Sequence, residues 1–403
     1  MKKYFIFAVA ALAASVACTK TNIDTDQLPD QKISFEVANY VPQTKAETSL
    51  ATGEGFYEFH TTATQFPEIG TAVTFMNNVA VKAWNNVSTP AIVTSGDDVY
   101  TWAPEQDYYW PKTGYINFYS YAGTQSPTTT VSDDKKTVTF NYGTVTVEPD
   151  DNILVADAAL RFNENTVTYH MDHVTSGVPT LFRHQLAKVK FTVHLKTTQS
   201  ASSNTTWKVR TLGSETISGT AYESAVTFVK NGSLQLSNTD ALVATADVNT
   251  TIQGWTAVVG ESANVDGWIA GTEDTDKEKV TLTSQTLTIA VGATESAEAT
   301  TAYLVEERTV MPQATSNTKF VLYYEVSASH DNFTTDPFLK EIRSVGVDVE
   351  KTLADLVSTI TNWNKNTKVT YNIIIDPVSE KVTFDPAVEE WGSAEGSINV
   401  PLS

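Results

Sequence analysis

The sequence predicts an all-β protein, and three observations support this prediction. Only 18% of the 403 residues are charged, and much of the polarity comes from threonine, which favours strands, and from serine and asparagine, which favour turns. Many short segments alternate apolar and polar residues with a period of two, the pattern of a half-buried strand. Asn-Gly, Ser-Gly and Asp-Gly steps between them indicate turns. Short strands at this spacing are typical of sandwiches or barrels.

The individual strands are predicted from apolar residues of one parity. Near the N-terminus, Ile33, Phe35 and Val37 alternate with small or polar neighbours. The clearest strand is 187–195, and the same alternation recurs at 137–142, 320–326 and 369–375. For 187–195 the pattern predicts a core-facing set (Ala187, Val189, Phe191, Val193) and a solvent-facing set (Lys188, Lys190, Thr192).

One segment has helical spacing instead. Leu353, Leu356, Val357 and Ile360 fall at i, i+3, i+4 and i+7, which predicts a short helix near 352–361. A chain of 403 residues allows two or three domains at about 100–200 residues each. The stretch before Val178-Pro179-Thr180 is polar, and the clearest strand soon after it opens a new block, so a domain boundary is predicted near residue 180.

The N-terminus is predicted to be an export signal followed by a lipid anchor. Two lysines precede an apolar run over 4–14 that is too short to span a bilayer, so residues 1–17 are predicted to form a signal peptide. The run ends in Ser15-Val16-Ala17-Cys18, which resembles the lipobox of bacterial lipoproteins. Cys18 is the only cysteine, so no intrachain disulfide can form. Acylation at Cys18 would anchor the protein without a spanning helix.

The formal charge of −20 argues against negatively charged binding partners. A surface this acidic repels phosphate backbones, so no nucleic-acid partner is predicted. It also repels anionic lipid, and any membrane association therefore needs a covalent anchor such as an acylated Cys18.

Common catalytic and cofactor motifs are absent from the sequence, which has no GxSxG, HExxH, P-loop or GxGxxG pattern. His170 and His173 form a close pair, but no third ligand is evident nearby, so neither a metal site nor a cofactor is predicted. Composition alone leaves open a carboxylate pair of the kind that glycosidases use. The prediction is a protein that is not an enzyme.

The densest aromatic cluster allows two interpretations. If its rings were exposed and flat, they would form a sugar-stacking platform; if buried, they would pack a core near a hairpin at Gly114. Core packing is favoured because aromatic side chains bury large areas. The cluster consists of Trp102, Tyr108, Tyr109, Trp110, Tyr115, Phe118, Tyr119 and Tyr121.

Five segments along the chain carry a family resemblance. They are Tyr109–Tyr121 (YWPKTGYINFYSY), Asp151–Ala156 (DNILVA), Phe182–Val189 (FRHQLAKV), Val310–Gln313 (VMPQ), and Trp363–Tyr371 followed by Phe384 and Trp391. In this order they extend over nearly the whole mature chain. The sequence resembles the fimbrillin family, the Mfa-like lipoproteins of type V pili in Bacteroidetes.

The resemblance implies two transthyretin-like β-sandwich domains of the immunoglobulin-like topology class. They would occupy 46–180 and 181–403, after a lipidated tether and first strand at 18–45. The resemblance also implies a lipid-anchored protein of the cell outer membrane that enters an extracellular fimbrium and contributes to adhesion. Its partners would be other fimbrillin subunits, in a homopolymer or with accessory pilins, and a host glycan or protein receptor.

The resemblance further implies that a trypsin-like protease removes the N-terminal strand, which a neighbour's strand then replaces. The family's cut follows a basic residue, often arginine, but the first arginine here is Arg161. The matching position is therefore Lys45, before Ala46. The removable strand would carry Ile33, Phe35 and Val37.

The C-terminus offers a replacement strand, because Ile398, Val400 and Leu402 again alternate. This segment could instead pair within its own domain, and the resemblance favours donation. A shaft subunit would have both a removable strand and a donor, whereas a tip subunit would not need the donor and an anchor would keep its first strand. The alternative to a pilin is a monomeric glycan-binding lipoprotein on the cell surface.

Overall fold

The fold is that of a computed structural model, which describes residues 32–39, 57–84, 92, 101–111, 113–162, 177–197, 204–239, 251–253, 256–257, 265–296, 302–330, 339–347 and 351–391. Strands make up most of this part of the chain, which has a single short α-helix, and this confirms the all-β prediction. The strands are β1 (Phe35–Asn39), β2 (Glu58–Phe66), β3 (Val73–Trp84), β4 (Thr101–Pro104), β5 (Tyr115–Gly123), β6 (Thr128–Val131), β7 (Thr137–Thr146), β8 (Ile153–Ala156), β9 (Ala158–Phe162), β10 (Val178–His184), β11 (Ala187–Leu195), β12 (Thr205–Leu212), β13 (Ser214–Ile217), β14 (Thr220–Glu223), β15 (Ala225–Val229), β16 (Asn231–Thr239), β17 (Thr251–Gln253), β18 (Thr256–Ala257), β19 (Trp268–Ala270), β20 (Lys277–Thr281), β21 (Thr286–Ile289), β22 (Tyr303–Val310), β23 (Gln313–Ala314), β24 (Lys319–His330), β25 (Leu339–Val345), β26 (Asn362–Trp363), β27 (Thr367–Asp376) and β28 (Lys381–Glu390).

The predicted helix is present but shorter than the apolar spacing suggested. Helix α1 spans Leu353–Leu356, and two 3₁₀ turns lie at Asp274–Asp276 and Thr315–Asn317. Thr352 begins α1 in a capping box, in which its backbone N–H donates to the Asp355 carboxylate at 2.6 Å. Val357 leaves helical geometry after one turn. The residues that follow include β-branched side chains, which favour helices less than unbranched ones do.

Seven strands of the N-terminal half form a sheet that closes on itself. Their order is β5-β2-β3-β4-β1-β10-β8, and β8 returns to pair with β5. Strands β9 and β17 continue the sheet beyond β5. The core inside this ring is rich in aromatic residues and includes Ile33, Phe35, Phe59, Met76, Trp102, Trp110, Phe118 and Phe182. Because closure pairs strands that would otherwise be edges, it protects them from pairing with other chains.

A five-stranded sheet, made of β6, β7, β16, β18 and β19, packs on the outside of the ring. Strands β5 and β8 are therefore buried on both faces. Phe118 and Leu154 belong to the core inside the ring, whereas Tyr119 and Val155 belong to the core beneath the five-stranded sheet. These two strands consequently have nearly continuous burial rather than the alternation of a half-exposed strand.

Two sheets pack face to face in the C-terminal half and form a β-sandwich. One has the order β22-β11-β27-β28, and the other has the order β20-β15-β24-β12-β21, with β25 also paired to β24. Phe191 of the first sheet stacks on Tyr371 at 4.9 Å and on Phe320 of the second sheet at 5.4 Å, measured between ring centroids. These rings join the two sheets through one core.

Strand β11 confirms most of the predicted faces. Its four core-facing residues are at most 1% exposed, and Lys188 and Lys190 are half-buried on the other face. The prediction that Thr192 faces solvent is wrong, because Thr192 is only 7% exposed. Its hydroxyl donates to the Asn372 side-chain oxygen at 2.7 Å, across the parallel pairing of β11 with β27. The hydrogen bond satisfies the polar group and allows it to be covered.

The division into domains near residue 180 and the transthyretin-like topology stay predictions. Strands from the two sides of that position do pair with each other. β16 forms a nine-residue antiparallel ladder with β7, from Asn231 opposite Thr146 to Thr239 opposite Thr137. Trp268, Met311 and Trp391 also join the core beneath the five-stranded sheet.

Candidate functional site

The predicted removable strand lies at the closure of the ring. β1 sits between β4 and β10, in parallel register with β10 from Phe35 opposite Val178 to Asn39 opposite Phe182. Its pairing with β4 is antiparallel and brief, with Phe35 opposite Trp102, and one further bridge joins Lys32 to Tyr109. We call the position between β4 and β10 that β1 fills the β1 groove.

Aromatic side chains form the floor of the β1 groove. Phe35 is 2% exposed and meets Phe59 and Phe118 edge-on, with ring centroids 5.4 Å and 5.7 Å apart. Phe59 in turn contacts Trp102 at 5.7 Å and Phe182 at 5.3 Å. Edge-to-face rings attract beyond their area burial, so Phe35 is held in a pocket shaped for an aromatic ring.

The other inward residues of β1 are aliphatic. Ile33 is 2% exposed, and Val37 is half-buried against the same core. The three side chains that the sequence placed on one face are thus brought together on the core side of β1. Glu36, of opposite parity, is exposed.

The backbone of β1 alternates between its two neighbours. The Ile33 N–H donates to the Tyr108 carbonyl at 2.7 Å on the β4 side, and the Val178 N–H donates to the Ser34 carbonyl at 2.8 Å on the β10 side. Residues of one parity in a strand direct their backbone groups to the same side. Ser34 and Glu36 therefore face β10 with their backbone groups, while Ile33 and Phe35 face β4.

Gly177 allows β10 to approach β1 closely. Its φ is +101°, and a Cβ built there would lie 2.7 Å from the Phe35 carbonyl carbon and 2.8 Å from the Glu36 nitrogen. Only a residue without a Cβ fits this distance and this backbone conformation. Sequence reasoning did not find this residue as part of the site; the Ser-Gly step at 176–177 indicated only a turn.

A salt bridge on the surface side of the β1 groove adds little to the stability of β1 in the groove. The Lys32 ammonium lies 2.7 Å from the Asp107 carboxylate, and that hydrogen bond raises the pKa of Lys32. Both side chains are about half-exposed or more, so solvent screens the pair. Burial of Ile33 and Phe35, together with the ladder hydrogen bonds, is what holds β1.

A second cluster joins two of the resembling segments, Phe182–Val189 and the last one at Trp391, to Trp268. His184 stacks on Trp391 with ring centroids 3.7 Å apart, and the Lys188 ammonium lies 4.5 Å from the centre of the same indole ring. The indole N–H of Trp268 donates to the Gln185 carbonyl at 2.7 Å. Burial, reinforced by the charges of Lys188 and Lys368, lowers the pKa of His184 to about 3. The cluster is tightly packed, and His184, Trp268 and Trp391 are all buried in it.

The remaining predicted site residues are not part of this geometry. Cys18, Lys45, Ala46, Ile398, Val400, Leu402, His170 and His173 lie outside the described residues. Among the residues that are described, no group of three or more histidine, cysteine, aspartate or glutamate side chains could hold a metal ion. No helix in the described ranges is long and apolar enough to cross a membrane.

The dense aromatic cluster is mostly core, as the favoured interpretation predicted. Five of its rings, those of Trp102, Trp110, Phe118, Tyr119 and Tyr121, are at most 6% exposed. Tyr109 is the exception at 44% exposed. One exposed ring does not make a flat sugar-stacking platform, which removes the observation on which the glycan-binding alternative depended.

No protein-family model and no curated protein matches the sequence. Solved structures to which the chain is similar include a fimbrial protein from Bacteroides vulgatus, at 15% identity and a TM-score of 0.47, covering 90% of this chain and 99% of that one. Another is a candidate cell adhesion protein from Bacteroides uniformis, at 12% identity and a TM-score of 0.38, covering 91% and 100%. The fimbrial anchor protein Mfa2 from Porphyromonas gingivalis has 10% identity and a TM-score of 0.25, covering 89% and 98%. TM-scores below 0.5 assign no function, so the functional case rests on the strands of the chain itself.

Proposed function

We propose that this chain is a structural pilin of the cell surface, a fimbrillin-like shaft subunit that polymerises by exchanging its first strand. The observation that carries the proposal is the position of β1. A short strand near the N-terminus closes the ring, and its core contacts come mainly from two side chains, Ile33 and Phe35. Loss of β1 would free the edges of β4 and β10 and expose an apolar groove between them, the kind of site that binds an extended strand.

In this proposal the chain is exported, acylated at Cys18 and held at the outer membrane until a protease cuts after Lys45. The C-terminal segment with Ile398, Val400 and Leu402 of a neighbouring subunit then enters the β1 groove. Because the contact joins different surfaces of the two subunits, it does not close on itself and produces fibres. The proposal involves neither a cofactor nor catalysis, and adhesion would follow from the fibre.

The test uses two variants of the full chain and a trypsin-like protease. Treatment of the parent should give polymers visible by electron microscopy and size-exclusion chromatography. Lys45→Ala should stay monomeric under the same treatment, and deletion of residues 397–403 should give a cleaved subunit that cannot lengthen a fibre. Polymers formed equally well by the deletion variant would show that another segment donates the strand.

N-terminal sequencing of the protein purified from its native surface, combined with the deletion variant, separates the shaft from the other positions in a fibre. If the protein purified from its native surface still begins at Cys18, it keeps β1 and acts as an anchor. If it begins at Ala46 but the deletion of 397–403 has no effect on incorporation, a tip position is supported. A shaft subunit requires both the cut and the C-terminal segment.

A further inference from the structure

The β1 groove has chemical requirements that its occupant must meet, and they can be read from the side chains around β1. At the Phe35 position the pocket is formed by the rings of Phe59 and Phe118, each edge-on to the ring it holds. Two residues earlier the groove takes the aliphatic Ile33, and two residues later it half-buries Val37. The inward pattern is therefore aliphatic, aromatic, aliphatic.

The backbone imposes a second requirement. Ser34 and Glu36 direct their N–H and C=O groups toward β10, as the hydrogen bond from Val178 to Ser34 shows. Gly177 brings β10 so close that a Cβ would meet the backbone of Phe35 and Glu36 at 2.7–2.8 Å. A proline at an outward position would remove the N–H that faces β10 and place its ring at this close contact.

The chain's own C-terminal segment meets neither requirement. Its inward residues would be Ile398, Val400 and Leu402, none of which is aromatic. Pro401 lies between two of them, so it takes an outward position in every register that keeps the apolar residues inward. In the register that places Val400 at the Phe35 position, Pro401 would replace Glu36 beside Gly177.

We infer that the β1 groove selects an incoming strand with an aromatic side chain at its second inward position and no proline at the outward positions. The best-fitting occupant is then a strand of another polypeptide with the pattern of residues 33–37. The C-terminal segment of a neighbouring copy can still enter the groove after the cut, as in the proposed strand exchange, but it binds there more weakly. This inference rests on the proposed strand exchange, because it names the partner chemistry of the same groove.

The test measures how well peptides compete for the groove of the full chain, cut after Lys45 at a specific protease site inserted there. A labelled peptide of residues 31–39 is exchanged for the cut strand, and unlabelled peptides then displace it. The Phe35→Leu peptide should bind at least about 10-fold more weakly than the parent peptide, because two edge-to-face ring contacts are lost. The Glu36→Gln peptide is the control and should bind like the parent, since Glu36 is exposed.

The decisive comparison uses the C-terminal segment. The peptide of residues 396–403 should compete at least about 10-fold more weakly than the 31–39 peptide, and the double change Val400→Phe with Pro401→Asn should recover most of the difference. Equal competition by the unmodified C-terminal peptide, or by the Phe35→Leu peptide, would overturn the inference while leaving strand exchange intact. If no peptide enters the groove, strand exchange itself fails, and the inference fails with it.

Discussion

Replacing Gly177 by alanine tests whether close contact between β10 and β1 holds the ring closed. The new Cβ would lie 2.7 Å from the Phe35 carbonyl carbon, 2.8 Å from the Glu36 nitrogen and 3.0 Å from the Phe35 Cα. All three are backbone atoms, so no side-chain rotation relieves the contact. Ordinary van der Waals contact begins at 3.4 Å, and β1 would have to move away by more than half an ångström.

Gly219 provides a matched control because it shares the backbone strain but not the contact. Its φ is +84°, and a Cβ there would meet no atom within 4 Å. Gly219→Ala should cost about 1–2 kcal/mol for a side chain in a left-handed conformation. Gly177→Ala should cost a further 1–3 kcal/mol, roughly, for the forced shift of packed backbone.

The difference between the two variants is measured by urea unfolding of the uncut chain, with amide hydrogen exchange as a local readout. The Val178 N–H, which donates to Ser34, should lose protection in Gly177→Ala and keep it in Gly219→Ala. Equal losses of stability in the two variants, with the Val178 amide still protected, would refute the assignment of Gly177 to the β1 groove.

Three further predictions address the second cluster and the anchor. Burial lowers the pKa of His184 to about 3, whereas its pKa in the unfolded chain is about 6.5. Below pH 6.5 the unfolded chain therefore binds a proton that the folded chain does not, and the free energy of unfolding should fall by about 2 kcal/mol from pH 7 to pH 5. His184→Gln should remove that part of the slope in urea titrations at the two pH values, and an unchanged slope would contradict the assignment. Trp268→Phe removes the donor to the buried Gln185 carbonyl and should cost about 1–3 kcal/mol of unfolding free energy, whereas a loss below about 0.5 kcal/mol would show that this hydrogen bond is dispensable. Cys18→Ala should release the exported protein from the membrane fraction or leave it unprocessed, and normal retention on immunoblots would disprove the anchor.

Local alternation was enough to predict the strands but not every face. In β11 the apolar residues took the expected side because burial of one parity is a local property of the strand. Thr192 could not be placed in the same way, since its partner Asn372 is 180 residues away and becomes a neighbour only through the parallel pairing of β11 with β27. The helix was overextended because the spacing of apolar residues does not show where the backbone stops turning.

The β1 groove shows the same division between local and distant information. The sequence identified Ile33, Phe35 and Val37 as one face of a strand. It gave no indication that the strand runs parallel to β10 or that Val178 lies opposite Phe35, because this pairing joins residues more than a hundred positions apart. Gly177 was therefore missed, although it determines how closely β10 can approach β1.

The way β1 is attached explains why a cut in the chain could act as a switch. Burial of Ile33 and Phe35 contributes roughly 3–6 kcal/mol, at about 1.5–3 kcal/mol for each side chain. In the uncut chain this suffices, because the strand is tethered and its local concentration is high. After a cut, a free strand would have to offset the lost translational and rotational freedom, which costs an estimated 4–15 kcal/mol. The same contacts that hold β1 firmly in the uncut chain would hold it only marginally once it is a separate fragment. The β1 groove would then become open to another strand without any change in its own side chains.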